Sequence, residues 1–372
     1  MPIETFRPLV EVTRGPLVES VHFGAFAVVD AAGRLLAAQG APQFRTYLRS
    51  SAKPLQALAL IEGGGAEAFG LEEPEVALLC ASHTGTDRHV ATAAGMQAKI
   101  GIHESELQCG VHPPSDEGTR YAMRRRGEAP TPNRHNCSGK HTGMLALARL
   151  RGDPIQDYLD PQHPVQQTIL RTFAEMCALA PEEIVLGTDG CSAPVFAIPL
   201  YNAALGYARL CDPAGLPEKR AAACRRITHA MAAYPEMIAG PQRFDTGLMA
   251  ACGGRVVCKQ GAEGFLSLGI LPGAVAAGSP GMGVAIKIAD GDLHGQTRPQ
   301  VDDPNETGDA GGRARPIVAL EILRRLGVLD AAQARELAHF DARPLSNWRG
   351  LRVGEIRPAF DWGQAPSQSQ PA

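Results

Sequence analysis

Sequence with strand character lies at both ends of this chain, and helix-forming sequence fills the middle, so a sheet can form only across a long insertion. Near the start, residues 9–12, 20–29 and 35–38 are β-prone, separated by the turn signals Arg14-Gly15-Pro16 and Asp30-Ala31-Ala32-Gly33. Near the end, residues 255–259, 264–268 and 283–289 have the same character. From about residue 66 to 250 the pattern is mostly helical, broken by Gly- and Pro-rich loops, with one strand-like apolar run at 76–81. Residues 164–179 form the clearest predicted helix, with Val165, Ile169, Leu170, Phe173 and Met176 at helical spacing. A second spans 216–232, with Pro217 suited to its first turn. A helix at 315–326 and a shorter one from Asp330 follow the last β-prone segment.

This order predicts an α+β fold, with an antiparallel sheet built from both chain ends and flanked by helices, and not a doubly wound βαβ repeat. The sheet region takes residues 1–65 and 251–360, and the inserted, mostly helical region takes 66–250. The Ser/Gln/Pro-rich tail at 361–372 is expected to be disordered.

A net charge of −3 leaves no footprint for nucleic acid or an anionic membrane, and no apolar stretch reaches membrane-span length. The first residues lack the charged and apolar regions of a signal peptide, so the expected location is cytoplasmic. Nine cysteines are scattered without a small-domain disulfide framework. Cys80, Cys177, Cys211 and Cys224 sit in apolar surroundings and read as core fillers.

Ser50-Ser51-Ala52-Lys53 opens an apolar run that reads as a helix ending at Gly63-Gly64-Gly65. Three residues apart, Ser50 and Lys53 project from one helix face. A serine hydroxyl needs a base within hydrogen-bond reach, and a lysine can be that base if burial or a neighbouring cation lowers its pKa. The same Ser-x-x-Lys spacing marks serine β-lactamases and penicillin-binding proteins, where Ser-Asp-Asn and Lys-Thr-Gly join it. Rough counterparts stand here in the same order, Ser82-His83-Thr84 and Lys259-Gln260-Gly261. Taken alone, Lys259 reads as an exposed strand-end lysine and the functional reading loses.

Two glycine-bearing loops, Asn136-Cys137-Ser138-Gly139-Lys140-His141-Thr142-Gly143 and Gly187-Thr188-Asp189-Gly190-Cys191-Ser192-Ala193-Pro194, each set a cysteine among small polar residues. Such surroundings are expected to expose the thiol, and Lys140 and His141 favour the thiolate. Two thiolates and a nitrogen donor suit zinc, but the spacing matches no standard zinc module and lysine must lose its proton to bind. Chemistry alone therefore favours two unpaired loop thiols. A phosphate loop is excluded, because residue 134 is Arg and His141 separates Lys140 from Thr142. His83, His89, His135 and His141 carry no metal spacing and read as hydrogen-bonded structural histidines.

Together these stretches resemble the L-asparaginase II family, the rhizobial-type or class 3 asparaginases. The resemblance rests on Arg49-Ser50-Ser51-Ala52-Lys53-Pro54-Leu55-Gln56, Ser82-His83-Thr84-Gly85 and Asn136-Cys137-Ser138-Gly139-Lys140-His141. It continues in Thr188-Asp189-Gly190-Cys191-Ser192-Ala193-Pro194 and Lys259-Gln260-Gly261-Ala262-Glu263-Gly264, and runs from about residue 8 to 358. It implies a fold similar to serine β-lactamases and serine-dependent glutaminases, and a homodimer. By resemblance, Ser50–Lys53 and Ser82–Lys259 become two Ser-Lys pairs in one pocket. Cys137, Lys140 and Cys191 become ligands of a zinc ion, and Arg49, His141 and Asp189 sit beside the site as substrate-binding or supporting groups. The implied reaction is hydrolysis of L-asparagine to L-aspartate and ammonia through an acyl-enzyme. One departure stands out: some relatives carry a cysteine just before the residue matching Thr246, where this chain has Asp245. The competing readings are a glutaminase, a penicillin-recognising acylase of the same fold, and a non-catalytic zinc- or thiol-sensing protein.

Overall fold

The computed structural model describes residues 5–292 and 312–361, so the tail expected to be disordered lies, apart from residue 361, outside them. Strands β1 (Arg7–Arg14), β2 (Leu17–Asp30), β3 (Leu35–Gln39) and β4 (Arg45–Tyr47) come first. Strands β5 (Val185–Thr188) and β6 (Pro194–Pro199) interrupt the helical middle. The last are β7 (Val256–Gln260), β8 (Phe265–Ile270), β9 (Met282–Ile288), β10 (Arg343–Ser346) and β11 (Arg352–Pro358).

Eight of these make one antiparallel sheet in the order β10-β11-β1-β2-β9-β8-β7, with β3 also paired to β2. The two chain ends meet where β2 pairs β9, from Gly24 opposite Ile288 to Asp30 opposite Met282. The predicted α+β architecture is therefore the one that forms. Strand β8 is buried along its whole length and β2 from Gly24 onward, so a layer must cover each face of the sheet.

Helices supply those layers and the inserted region. In chain order they are α1 (Lys53–Glu62), α2 (Gly65–Ala68), α3 (Glu73–Leu79), α4 (Asp87–Ile100), α5 (Glu117–Arg126) and α6 (Ser138–Arg151). Then follow α7 (Pro164–Met176), α8 (Leu200–Cys211), α9 (Glu218–Ala233), α10 (Pro235–Ile238), α11 (Phe244–Cys252), α12 (Ala314–Arg325) and α13 (Ala331–Glu336). Both α8 and α12 pack on β8 and β9. Helix α8 approaches so closely that a Cβ at Gly283 would lie 1.8 Å from the Ala204 carbonyl oxygen, so β9 needs glycine there. Among the described residues no helix is long and apolar enough to cross a membrane.

Two expectations for the middle are corrected. The apolar run at 76–81, read as strand-like, belongs mainly to α3: Glu75 Oε2 accepts the Glu72 N–H at 2.7 Å and Pro74 sits in the first turn, both helix-starting devices. A second sheet, β4-β6-β5, joins Arg45–Tyr47 of the first segment to two strands of the inserted region, so the Asp189–Cys191 segment is the loop of a β-hairpin.

Candidate active site

Ser50 lies in a 3₁₀ turn (Arg49–Ala52) that runs directly into α1, with Pro54 in the first α turn. Arg49 has φ +51°, a conformation disfavoured for a side-chain-bearing residue and common where a site is held under strain. The turn is tied to the sheet, because Ser51 Oγ donates to the Lys259 carbonyl at 2.6 Å and Tyr207 donates to the Ser51 carbonyl at 2.7 Å. Ser50 is thereby fixed beside β7. Its hydroxyl is half-buried and makes no hydrogen bond among the described residues.

Lys53 is buried, and its Nζ donates to the Ala81 carbonyl (2.5 Å), Ser82 Oγ (2.7 Å) and the Asn136 carbonyl (3.2 Å). Three acceptors match an ammonium's three protons. The hydrogen-bonded serine–lysine pair is thus Ser82 with Lys53, not Ser50 with Lys53 as the helical spacing suggested. The long side chain reaches across to the end of α3, where the Ala81 and Ser82 backbone is held by Ser82 N–H donating to the Ile238 carbonyl at 2.8 Å.

Lys259 is the second buried lysine, 1% exposed on β7. Its Nζ donates to the Gln260 carbonyl at 2.8 Å and stands 3.8 Å from Asp245 Oδ2. Burial pushes its pKa down to about 8; the Asp245 carboxylate opposes that fall, and the Lys53 charge adds to it. No hydrogen bond joins Lys259 to Ser82 among the described residues.

The cysteine–lysine cluster adjoins this pocket through Asn136, whose carbonyl receives Lys53 and whose Oδ1 accepts from Cys137 Sγ at 3.2 Å. Cys137 caps the N-terminus of α6, where the helix dipole favours a thiolate. Gly139 lets that helix start close against α3, since a Cβ there would lie 2.1 Å from the Leu78 carbonyl oxygen. One turn along α6, Lys140 Nζ approaches Cys191 Sγ at 2.9 Å.

Both thiols are buried, contrary to the exposed loops expected, because the hairpin loop closes over the start of α6. A hydrogen bond between the sulfurs holds Cys137 well below, and Cys191 above, the usual thiol value. Burial works against the Lys140 ammonium, but Cys137 and Cys191 outweigh it and raise its pKa.

His141, fully buried on α6, pairs its Nδ1 with Tyr158 Oη at 2.7 Å. That hydroxyl already accepts the Gln108 N–H at 2.9 Å, so its proton points to Nδ1 and leaves the neutral ring with Nε2–H. Burial holds the ring pKa at about 4, against the opposing pull of the Cys191 sulfur beside it. On the rim, Arg49 Nε and Nη2 both reach Asp189 Oδ1, at 2.8 and 2.7 Å. Burial would raise the Asp189 pKa, yet Lys140 and Arg49 hold it below the usual carboxylate value.

Tyr158 was not singled out in the sequence and no motif marks it, and Asn136, although it opens the Asn136–Gly143 loop, was given no role there. His83 fits its plain reading: Nδ1 accepts the Gly85 N–H and Nε2 meets Ser138 Oγ at 2.9 Å, pinning a loop.

No curated protein matches the chain in sequence. Among solved structures it is similar to a probable glutaminase from Bacillus subtilis complexed with 6-diazo-5-oxo-L-norleucine, at 12% identity over 72% of this chain and 76% of that one, TM-score 0.32. It is also similar to Mglu in its native form (14%, covering 83% and 66%, TM-score 0.32). A Bacillus glutaminase in 4.3 M NaCl gives 14%, 72% and 83%, with a TM-score of 0.31. The L-asparaginase II family model matches residues 10–299, and the chain, an amidohydrolase by that membership, belongs to the L-asparaginase II family.

Proposed function

We propose that this amidohydrolase cleaves the side-chain amide of L-asparagine to L-aspartate and ammonia through an ester on Ser50. The observation that carries this reading is a pair of buried lysines in different settings, one committed to three acceptors and one with a lowered pKa, beside a serine with an uncommitted hydroxyl. Lys53 is held by three acceptors, whereas Lys259, pushed down to about 8, carries a neutral fraction near pH 7.

Ser50 Oγ attacks the amide carbon while its proton passes to Lys259. The C–N bond then breaks as Lys53, through Ser82, protonates the departing ammonia. In the second half, water attacks the ester, its proton returns through Ser82 to Lys53, and Lys259 gives its proton back to Ser50. Both lysines end as they began. Backbone N–H groups of the strained turn are the natural holders of the oxyanion; one such donor is typically worth about 3 kcal/mol. Arg49 and Asp189 offer a cation and an anion at the rim for the substrate's α-carboxylate and α-ammonium.

Cys137, Lys140 and Cys191 are the residues that would hold zinc. Among the described residues no three His, Cys, Asp or Glu side chains converge on a metal-binding geometry. The set instead joins two buried sulfurs to a lysine nitrogen, and that donor chemistry suits a soft divalent cation. Bound there, zinc would supply a fixed positive centre that orients the pocket or a substrate oxygen. A homodimer is part of the same proposal.

Ammonia release from asparagine and from glutamine, for the wild type and Ser50→Ala, tests the reading. Asparagine-dependent release that Ser50→Ala abolishes is expected. Full activity in Ser50→Ala rules out the nucleophile, release only from glutamine changes the substrate, and no amidase activity in the wild type removes the enzyme.

A further inference from the structure

Asp245 stands in the first turn of α11, 2% exposed, and no step above uses it. Its Oδ2 accepts the Gln260 N–H at 2.9 Å and lies 3.8 Å from Lys259 Nζ, while Oδ1 faces Cys258 Sγ at 3.6 Å. A carboxylate this deeply buried is costly unless it is paired and hydrogen-bonded, and here it has both. The other groups that act on Lys259 cannot replace it. Lys53 from α1 and Arg243 from the loop before α11 repel its charge, and Cys258 on its own strand is kept protonated by burial. Cys80, at the end of α3, is likewise held protonated by burial. On β8 the cross-strand neighbour is the uncharged Ser267. Helix α9, which also packs on β7, buries no carboxylate, and its Arg220 is paired with Glu62 and Glu175.

We propose that Asp245 is the positioning residue that keeps Lys259 able both to take a proton and to return one, by setting a buried carboxylate beside Nζ and fixing the Gln260 backbone. Without it, a lysine in this dry and cationic setting stays neutral, a serviceable base that cannot give its proton back to Ser50. The inference rests on the proposed role of Lys259, and the experiment separates the two.

The pH dependence of kcat/KM for asparagine is measured from about pH 5 to about pH 10 for the wild type, Asp245→Asn, Asp245→Glu and Lys259→Met. Activity should rise through the Lys259 ionisation. In Asp245→Asn that rise should move to lower pH by about one unit or more, with kcat reduced and KM little changed. Asp245→Glu should return it toward the wild-type position. Lower activity with the rise unmoved makes Asp245 merely structural and overturns the proposal. Wild-type activity in Lys259→Met removes Lys259 from the mechanism instead. The Asp245 question is then read from the ¹³Cε titration of Lys259 in labelled full-length protein, assigned with Lys259→Met. A titration unchanged by Asp245→Asn refutes the coupling whatever the turnover. If Asp245→Asn does not fold, Asp245→Cys takes its place with the same expected downward shift.

Discussion

Replacing Lys259 by Met should convert a pH-dependent stability term into a flat one, by an amount that follows from the lysine's surroundings. In the folded chain burial brings Lys259 to about 8 from an ordinary value of 10.5. A depression of that size corresponds to about 3 kcal/mol. Below pH 8 the lysine is protonated in both folded and unfolded chains, and folding bears the full cost of burying the ammonium. Between about pH 8 and 10.5 the unfolded chain still holds the proton while the folded chain has released it, so wild-type stability rises with pH.

Met carries no proton and shows no such rise. Urea unfolding of the two proteins, in parallel at pH 7 and pH 9.5, should show the wild type gaining about 2 kcal/mol relative to Lys259→Met. Other groups that titrate in this range are common to both and cancel. The absolute difference at pH 7 is a separate quantity, since Met also leaves Asp245 without its cation. A gap that stays constant across this range would refute the claim that Lys259 is a desolvated lysine with a lowered pKa. Turnover should fall in the same variant at every pH.

Three further outcomes are expected. Ser50→Ala should lower kcat for asparagine by about a thousandfold or more with little change in urea midpoint, because the hydroxyl makes no structural hydrogen bond. Removing zinc with a chelator should raise KM more than it lowers kcat, with metal analysis confirming the loss; an inactive protein at saturating asparagine would contradict a metal that only orients. Gly139→Ala should destabilise by about 1–3 kcal/mol in urea, because the new Cβ would press on the Leu78 carbonyl; a neutral change would mean α6 can shift freely against α3.

The central sheet was legible because its inner strands, β2, β8 and β9, carry apolar runs between turn residues. The outer strands β10 and β11 were not, since Arg343, Arg352, Glu355 and Arg357 break any apolar alternation. The hairpin carrying Asp189 and Cys191 also went unread as strand: β5 has four residues, includes Gly187 and is largely exposed, so register comes from its partner β6 and not from its own pattern. At the site, Ser50, Lys53, Ser82 and Lys259 stood out as residue types at suggestive spacing. Their pairing did not, because a lysine side chain can reach across elements and Lys53 found Ser82 and two carbonyls instead of Ser50. Cys137 and Cys191 looked like exposed thiols because composition reports the neighbours in sequence, whereas their burial comes from a hairpin folding onto a helix N-terminus. Asp245 was visible only as a departure from relatives; its contact with Lys259 joins α11 to β7 and has no local signal.

The most direct test is to quench the enzyme rapidly during turnover of L-asparagine and map the protein by peptide mass spectrometry. The expected result is an aspartyl group in place of the hydroxyl hydrogen on the peptide containing Ser50, absent from Ser50→Ala. An aspartyl group on Ser82 instead, or turnover with no covalent adduct under conditions where deacylation is slowed, would contradict the assignment of Ser50 as the nucleophile served by two buried lysines.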